Sequence, residues 1–201
     1  KPRFKSTIHT YEQVLAMDYA EGVTPGVKSS GICHNAGYFT YRGIAFNEDL
    51  YDLPGFWKYS SANASMLRYA EVLLLYAEAK FLVDGDADGA GLRALNEVRR
   101  RAQIPEVGAL TYDIIKDERR AELFCEQERY FDLVRWGDAA TALKDKGKVY
   151  YQFFGYKPGT TEWDVREIDG NGNGWQDKYN LLPFPFEQLA ANPNLKQNPG
   201  W

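Results

Sequence analysis

The stretch that decides the fold is residues 115–137, which read I-K-D-E-R-R-A-E-L-F-C-E-Q-E-R-Y-F-D-L-V-R-W-G. Four of its charged residues are spaced three or four positions apart: Arg119, Glu122, Glu126 and Arg129. In a helix of 3.6 residues per turn these four positions share one stripe. A second stripe is apolar and suits a core: Ile115, Leu123, Tyr130 and Val134. The pattern predicts a helix that pairs with neighbouring helices through its charged stripe.

Two further helices are predicted before this one. The first runs from about Met66 to Val83, with Asn63 or Ser65 as its N-cap, and ends where Asp84–Gly91 supplies residues that tolerate left-handed backbone. The second runs from about Leu92 to Gln103, because Leu92, Leu95, Val98 and Ala102 recur at spacings of three and four. The third helix is predicted to begin at the N-cap Thr111 and to continue without a break to about Lys144.

Three blocks together resemble the C-terminal part of the SusD/RagB family. They are L-R-Y-A-E-V-L-L-L-Y-A-E-A at 67–79, the charged stretch at 115–137, and L-L-P-F-P-F-E followed by N-P-N-L-K-Q-N-P-G-W within 181–201. Two departures from the family pattern are small: Gln127 stands where Gly is usual, and Phe184 where Ile or Val is usual. The resemblance implies a mainly α fold, a tetratricopeptide-like scaffold (the SusD-like α/α superhelix) with long irregular, loop-rich segments.

The resemblance also implies the domain organisation. Residues 1–66 form a loop-rich part of the ligand-binding region, 67–145 the tetratricopeptide-like helices, and 146–201 a loop-rich tail that packs on the helices. Residues 1–8 read K-P-R-F-K-S-T-I, with neither an initiator Met nor the apolar segment of a signal peptide. We therefore expect one incomplete SusD-like domain that lacks its N-terminal half, and a charged stripe left partly unpaired in the fragment.

The function that the resemblance implies is non-enzymatic. The protein is expected to be an outer-membrane lipoprotein that faces the cell surface, binds glycans and delivers them to a SusC-like TonB-dependent transporter. Its lipid anchor would lie outside this chain. Three alternatives stay open: a RagB-like lipoprotein that binds peptides, a glycoside hydrolase, and a plain protein-interaction module. The sequence does not identify the glycan.

Charge and hydropathy argue against two classes of protein, those that bind nucleic acid and those that span a membrane. The chain of 201 residues carries 24 Lys and Arg against 28 Asp and Glu, a net charge of −4, so it has no overall cationic field for nucleic acid. Its longest apolar run, within 72–79, is far short of the roughly 20 residues that a bilayer span requires. Cys33 and Cys125 lie far apart, and Cys125 is expected to be a small buried thiol rather than half of a disulfide.

Paired carboxylates at Glu122 and Glu126, or at Glu71 and Glu78, have the residue types of a glycosidase acid and base. Each pair lies near arginines, namely Arg68, Arg119 and Arg129. A neighbouring guanidinium lowers the pKa of a carboxyl, the opposite of what a general acid needs. We therefore interpret Arg68, Glu71, Arg119, Glu122, Glu126 and Arg129 as a structural ion-pair ladder. His9, Cys33 and His34 make no convincing nucleophile, and we predict no catalytic residue.

Aromatic residues in the first 66 positions are the best candidates for a glycan site. Flat rings stack on the C–H faces of sugars, while amide, carboxylate and guanidinium groups bind the hydroxyls. The predicted ligand-binding residues are Trp57, Tyr41, Tyr38, Phe56, Tyr59, Asn35 and Arg42. Trp57 leads this set, because Pro54-Gly55 forms a turn that holds it at the surface. The alternative is that these rings fill a loop-rich core.

One string is typical of a calcium loop. D-G-N-G-N-G at 169–174 places oxygen ligands at alternate residues and Gly at the turn, and Asp177 occupies the ninth position. Position twelve is Asn180, where a bidentate Glu is expected. No cofactor is required by the predicted function. Asp169, Asn171, Asn173 and Asp177 are the candidate calcium ligands, and a metal-free turn is the alternative.

Overall fold

The computed structural model describes residues 7–10, 38–40, 50–52, 58–60, 66–126, 128–170 and 172–201. Its helices there are α1 (Tyr69–Asp84), α2 (Ala90–Arg101), α3 (Tyr112–Glu122), α4 (Glu128–Arg135), α5 (Ala139–Ala142) and α6 (Phe186–Ala191). Its strands are β1 (Ile8–Thr10), β2 (Tyr38–Thr40), β3 (Leu50–Asp52), β4 (Lys58–Ser60), β5 (Val149–Tyr156) and β6 (Trp163–Asp169). The chain divides into two compact units, Lys1–Arg129 with Phe153–Val165, and Tyr130–Gln152 with Arg166–Trp201.

The core of the first unit lies between α1, α2 and α3. Its buried apolar residues are Ala70, Leu74 and Ala77 from α1, Leu95 and Val98 from α2, and Ile115 from α3. Helix α2 approaches α1 closely at Gly91, where an added Cβ would lie 3.1 Å from the carbonyl oxygen of Ala77. Glycine is needed at this position because the two backbones meet there. The predicted helical hairpin is therefore present.

The ends of the helices follow local chemistry. Thr111 caps α3, and its Oγ1 accepts a hydrogen bond from the Ile114 amide at 3.2 Å. Helix α1 ends at Gly85 in left-handed backbone with φ +68°, as the sequence predicts. Its start was predicted wrongly, because the N-cap position is Arg68 and neither Asn63 nor Ser65. The Arg68 side chain makes no cap bond, because its guanidinium donates to the main-chain carbonyl of Glu122.

The prediction of one long helix from Thr111 to Lys144 is wrong. Helix α3 ends at Glu122, Cys125 has left-handed backbone with φ +65°, and Gly137 interrupts the chain again with φ +74°. In an unbroken helix the Glu122 carbonyl would accept from the amide of Glu126. That amide bonds to the Leu123 carbonyl at 3.0 Å, and Arg68 donates to the Glu122 carbonyl at 2.8 Å. The Arg68 guanidinium thus replaces the helical hydrogen bond to the Glu122 carbonyl.

Cys125 is exposed, so the expectation of a buried thiol is also wrong.

Three two-stranded sheets are present in the described ranges, pairing β1 with β2, β3 with β4, and β5 with β6. The first two are antiparallel, with His9 opposite Phe39 and Tyr51 opposite Tyr59. The strands β1 to β4 have three residues each.

In the second unit, the C-terminal segment folds back through side-chain bonds to main-chain atoms. Gln197 accepts from the Phe184 amide at 2.9 Å and donates to the Phe184 carbonyl at 3.0 Å. The Trp201 indole N–H points at the carbonyls of Lys178 (3.1 Å) and Leu181 (2.9 Å). Tyr130 of α4 donates its hydroxyl to the Tyr179 carbonyl. These bonds give a physical role to the N-P-N-L-K-Q-N-P-G-W block.

None of the helices described has the length and apolarity of a bilayer span.

Candidate functional site

The Glu122 carboxylate, at the end of α3, is buried and is bound by two arginines. Its side chain is 1% exposed, and its Oε1 accepts from Arg68 Nη1 at 2.7 Å and from Arg101 Nη2 at 2.5 Å. Arg68 reaches further, since its Nε donates to Glu126 Oε2 at 2.6 Å. One guanidinium from the start of α1 therefore joins the end of α3 to the turn that follows it.

A second buried carboxylate lies one turn earlier on α3. Glu118 is 3% exposed, and its Oε2 accepts from Arg99 Nη1 of α2 at 2.5 Å. Arg99 also donates its Nε to the Pro105 carbonyl at 2.8 Å, which ties down the connection between α2 and α3. The expectation that the charged stripe would be partly unpaired in this chain is not met at Glu122 or Glu126, because Arg68 and Arg101 supply their partners.

The six residues of the predicted ladder lie on different elements. Arg119 and Glu122 lie on α3, Glu126 lies in the turn after it, Arg129 lies on α4, and Arg68 and Glu71 lie at and near the start of α1. Arg119 is 2% exposed although it is an arginine. The spacing suggested one helical stripe, whereas the Arg68 guanidinium binds the carboxylates of Glu122 and Glu126 across a helix break.

The electrostatics of these groups argue against a general acid at Glu122 or Glu126. Burial opposes the charge on Arg68, but its hydrogen bonds to Glu126 and Glu122 outweigh that effect and raise the pKa of Arg68. Both carboxylates thus accept from a permanently charged guanidinium. Glu71 behaves differently: burial, and then the negative charge of Glu128, raise its pKa despite Arg119 and Arg68. The arginine neighbours do lower the pKa of Glu71, as expected, but burial and the charge of Glu128 outweigh them.

The predicted glycan-binding residues lie largely outside the described residues. This holds for Asn35, Tyr41, Arg42, Phe56 and Trp57. The backbone of Tyr38 lies in β2 opposite Thr10, and that of Tyr59 lies in β4 opposite Tyr51. Their assignment to a sugar site stays a prediction.

The candidate calcium loop begins at the end of β6. Asp169, Asn173 and Asp177 are exposed, and Asn171 lies outside the described residues. The glycines at 170 and 172 allow the main chain to lie close to residues 147 and 148. Gly170 N–H donates to the Lys148 carbonyl at 2.8 Å and Gly172 N–H to the Gly147 carbonyl at 2.8 Å. A Cβ at Gly170 or Gly172 would collide with the Gly147 carbonyl oxygen. Close backbone approach therefore explains the glycine spacing, and calcium stays a prediction.

A second string with the first six positions of a calcium pattern lies where the sequence predicts a helix break. Residues 84–89 read D-G-D-A-D-G. Here the Lys80 ammonium lies 2.7 Å from Asp84 and 3.2 Å from Asp88. Asp86 accepts from the amides of Gly91 (2.6 Å) and Leu92 (2.8 Å) at the start of α2. Asp84 and Asp88 thus bind the Lys80 ammonium, and Asp86 caps α2 by accepting from its first amides. Among the residues that the structure describes, no group of three or more His, Cys, Asp or Glu could hold a metal.

A cavity of about 770 Å³ opens beside α3 in the first unit. Its described lining combines aliphatic residues with as many polar or charged ones: Ile8, Ile104, Pro105, Val107, Ile114 and Ala121, with Phe124, and Thr7, Arg99, Gln103, Asp117, Glu118 and Arg120. Volumes of this size are ordinary for ligand pockets. Among the described residues of this lining, Phe124 is the one aromatic residue, so they supply no second ring to face it across a sugar.

The described helices form a scaffold whose buried carboxylates Glu118 and Glu122 pair with arginines. Comparison with known proteins gives the family: the model of the SusD family matches residues 1–201. The chain therefore belongs to the SusD family, and the resemblance seen in the sequence is confirmed.

Two curated relatives are similar to much of the chain. A SusD-like protein from Bacteroides ovatus is 34% identical over 159 residues, which is 73% of this chain and 28% of that protein. The starch-binding protein SusD from Bacteroides thetaiotaomicron is 31% identical over 144 residues, 71% of this chain and 22% of that protein. This chain thus spans less than a third of the length of either relative.

Solved structures give the same fold. A SusD-like protein from Bacteroides fragilis matches with a TM-score of 0.66 at 26% identity, covering 100% of this chain and 39% of that one. A laminarin-binding SusD-like protein matches with a TM-score of 0.62 at 28% identity, covering 100% of this chain and 35% of that one. The predicted tetratricopeptide-like helical scaffold with loop-rich segments is confirmed.

Proposed function

We propose that this protein captures glycans at the cell surface without cleaving them and passes them to a SusC-like TonB-dependent transporter. The observation that carries the proposal is the 31% identity with a starch-binding SusD, within a family whose model matches the whole chain. The similarity to a laminarin-binding structure adds support. Capture would take place on an outer-membrane lipoprotein anchored through a residue outside these 201.

The buried carboxylates support the non-enzymatic part of the proposal. A retaining or inverting glycosidase needs one carboxyl that holds a proton near neutral pH and a second that is free to act as nucleophile or base. Glu122 and Glu126 both accept from Arg68, and Glu118 accepts from Arg99. Carboxylates held by guanidinium groups serve neither role well.

The test is isothermal titration of the protein, in the length that its gene encodes, against a panel of soluble polysaccharides. A peptide digest is the contrasting ligand, and release of reducing ends is followed in parallel. We expect binding of at least one polysaccharide and no release. Binding of peptides alone would favour a RagB-like function. Turnover of a glycoside that Glu122→Gln abolishes would support a hydrolase. Recovery of a transporter in a pull-down with neither ligand bound would favour an interaction module.

Trp57 is the residue on which the location of the site depends. We expect Trp57→Ala to weaken polysaccharide binding by about 1–3 kcal/mol, the range of a lost stacking contact by analogy with base stacking on aromatics. Phe186→Ala is the matched control, since Phe186 is 79% exposed and lies outside the predicted set. Equal effects of the two variants would show that Trp57 is not part of the glycan site. The proposal of glycan capture would still be tested by the titration with polysaccharides.

Calcium is a secondary part of the proposal, as an optional ligand of Asp169, Asn171, Asn173 and Asp177. If it binds, the thermal midpoint rises with added calcium and falls with a chelator. Asp177→Asn would reduce that difference. An unchanged midpoint in millimolar calcium would eliminate the metal and leave the glycine-rich turn as a purely structural element.

A further inference from the structure

The cavity beside α3 is built from three stretches of the first unit. They are one side of α3 and the turn after it, the end of α2 with the connection to α3, and the residues at the start of β1. Ile114, Asp117, Ala121 and Phe124 follow one another at spacings of three and four. Such spacing puts residues on one side of a helix. This wall of the cavity therefore combines apolar groups with a carboxylate.

The charged groups of the described lining balance one another. Two are guanidinium groups and two are carboxylates: Arg99, Arg120, Asp117 and Glu118. Glu118 is 3% exposed, and its Oε2 accepts from Arg99 at 2.5 Å. A ligand with a net charge would give up its hydration here without meeting a net charge of the opposite sign. The lining therefore favours an uncharged ligand that both donates and accepts hydrogen bonds.

Three polar side chains of the lining are available to such a ligand. Gln103, Asp117 and Arg120 form no side-chain hydrogen bond or ion pair with the residues that the structure describes. An amide, a carboxylate and a guanidinium each present two polar atoms side by side. Two neighbouring hydroxyls of a sugar can bind such a pair of atoms, while the C–H face of the ring packs on Phe124 or on the aliphatic wall.

Gln103 has a backbone conformation that disfavours its side chain. It follows α2 with φ +54°, and its amide bonds to the Arg100 carbonyl at 3.0 Å, while the Ile104 amide bonds to the Arg99 carbonyl at 3.1 Å. These two bonds form the Schellman motif that ends many helices, in which Gly is the usual left-handed residue. Glutamine there costs stability that glycine would not cost. Strained residues of this kind cluster at ligand sites, and this one lines the cavity.

We propose that the cavity beside α3 is a subsite for uncharged sugar units of a glycan. Gln103, Asp117 and Arg120 bind the hydroxyls, and Phe124 carries the C–H face of one ring. The volume of about 770 Å³ lies within the range of pockets that hold drug-sized ligands, and a disaccharide is of that size. This assignment rests on the proposed function, to which it adds a place where the glycan is held.

Cysteine labelling of the protein in the length that its gene encodes locates the ligand. Ala121→Cys, at an exposed position of the lining, is introduced after the native cysteines are replaced by Ser. Asp113→Cys is the matched control, at an exposed position of α3 outside the described lining. The probes are maltose, cellobiose, lactose and laminaribiose, with fragments of any polysaccharide that binds in the titration. We expect at least one probe to slow the reaction of Ala121→Cys with a maleimide about fivefold or more, and to leave the control unchanged.

Two substitutions separate sugar binding from folding. Gln103→Gly relieves the left-handed backbone and removes the side chain, so we expect a higher thermal midpoint together with an affinity for the sugar that is about fivefold lower. Asp117→Ala is expected to lower the affinity by a similar factor, and the control Asp113→Ala to leave it unchanged. Wild-type affinity in both Gln103→Gly and Asp117→Ala would overturn the proposal, because a purely structural Gln103 changes only the midpoint.

Three results of the labelling would overturn the proposal. The first is an Ala121→Cys thiol that reacts at the same rate with and without every sugar. The second is a thiol that is unreactive in the sugar-free protein and fast in denaturant, because the protein's own chain then fills the cavity. The third is protection by a peptide digest and by no sugar.

The outcomes also distinguish this proposal from the proposed function. Polysaccharide binding in the titration, combined with any of these three results, would keep glycan capture and remove the cavity as its subsite. A protein that binds no sugar in either experiment would overturn both proposals.

Discussion

Arg68 donates to Glu122 twice, once to the carboxylate at 2.7 Å and once to the main-chain carbonyl at 2.8 Å, across 54 positions of sequence. The first bond satisfies a carboxylate that is 1% exposed. The second occupies the carbonyl at which α3 ends, where a helix leaves unsatisfied acceptors. One side chain therefore joins α1 to α3 and fixes where α3 stops.

The Glu122 carboxylate is expected to contribute strongly to stability. Glu122→Gln removes the negative charge from a side chain that is 1% exposed, so the partly buried Arg68 keeps only Glu126 as a partner charge and the exposed Arg101 loses its pair. We expect a loss of about 3 kcal/mol in the free energy of unfolding. The measurement is chemical denaturation followed by circular dichroism. Glu106→Gln is the matched control, because its pair with Arg100 is exposed on both sides and is expected to be worth at most about 1 kcal/mol. Similar losses in the two variants would contradict a structural role for the buried pair.

Glu71 is expected to make stability depend on pH in the opposite sense to a salt-bridged carboxylate. Its pKa is raised by burial and by Glu128, although Arg119 and Arg68 act against the rise. A raised pKa means that protonation is favoured in the folded state. This contribution is fully present below the ordinary carboxyl pKa and is lost as the pH rises through the raised pKa.

The test of this prediction is Glu71→Gln across pH 4 to 8, with stability measured by denaturation at each pH. Because Glu71 is only partly buried, we expect the variant to gain about 0.5 kcal/mol or less at pH 7. The gain should vanish at the acid end, where the wild-type carboxyl is protonated too. A variant that is less stable than the wild type at pH 7 would show that the attraction of Arg119 and Arg68 dominates.

Asp86 is expected to stabilise the start of α2. Its carboxylate accepts from the Gly91 and Leu92 amides, and its own backbone is left-handed with φ +62°. Asp86→Ala removes the acceptor and places a residue that disfavours this backbone, so we expect a loss of about 1–2 kcal/mol. Asp86→Asn keeps an acceptor oxygen and tolerates the backbone, and is expected to lose much less. Thermal denaturation of the two variants distinguishes them; equal losses would show that the charge, rather than the cap, matters.

Gly172 is expected to be required for the contact between the 170–174 turn and residues 144–148. A Cβ there would collide with the Gly147 carbonyl oxygen, which already accepts from the Gly172 amide. We expect Gly172→Ala to cost about 1–3 kcal/mol, the range for overpacked positions. Gly108→Ala is the control, because no atom lies within 4 Å of a Cβ at that position. A Gly172→Ala variant as stable as this control would mean that the two segments separate easily.

Much of the fold follows from local sequence pattern. The helix break at Cys125 was missed because it depends on a contact with a residue far away in the sequence. The periodicity of Leu95 and Val98 predicted α2, and Thr111 marked the start of α3, because these signals involve neighbours within a few residues. The break at Cys125 was not predicted, since the residues around it continue a helical pattern. The bond that replaces the helical one comes from Arg68, which is remote in sequence. For the glycan site, the residue types came from sequence and their arrangement stays a prediction.

The sequence by itself determined the family and the helical hairpin, because residue type and short-range spacing encode these features. Tertiary structure alone decided which charges pair. Glu122 with Arg68 and Arg101, and Glu118 with Arg99, are joined by contacts between helices that no spacing specifies. It also decided that the glycines at 170 and 172 serve backbone contact with Gly147. The physical reason is that burial and pairing depend on which surfaces meet, and that is settled only when distant segments pack.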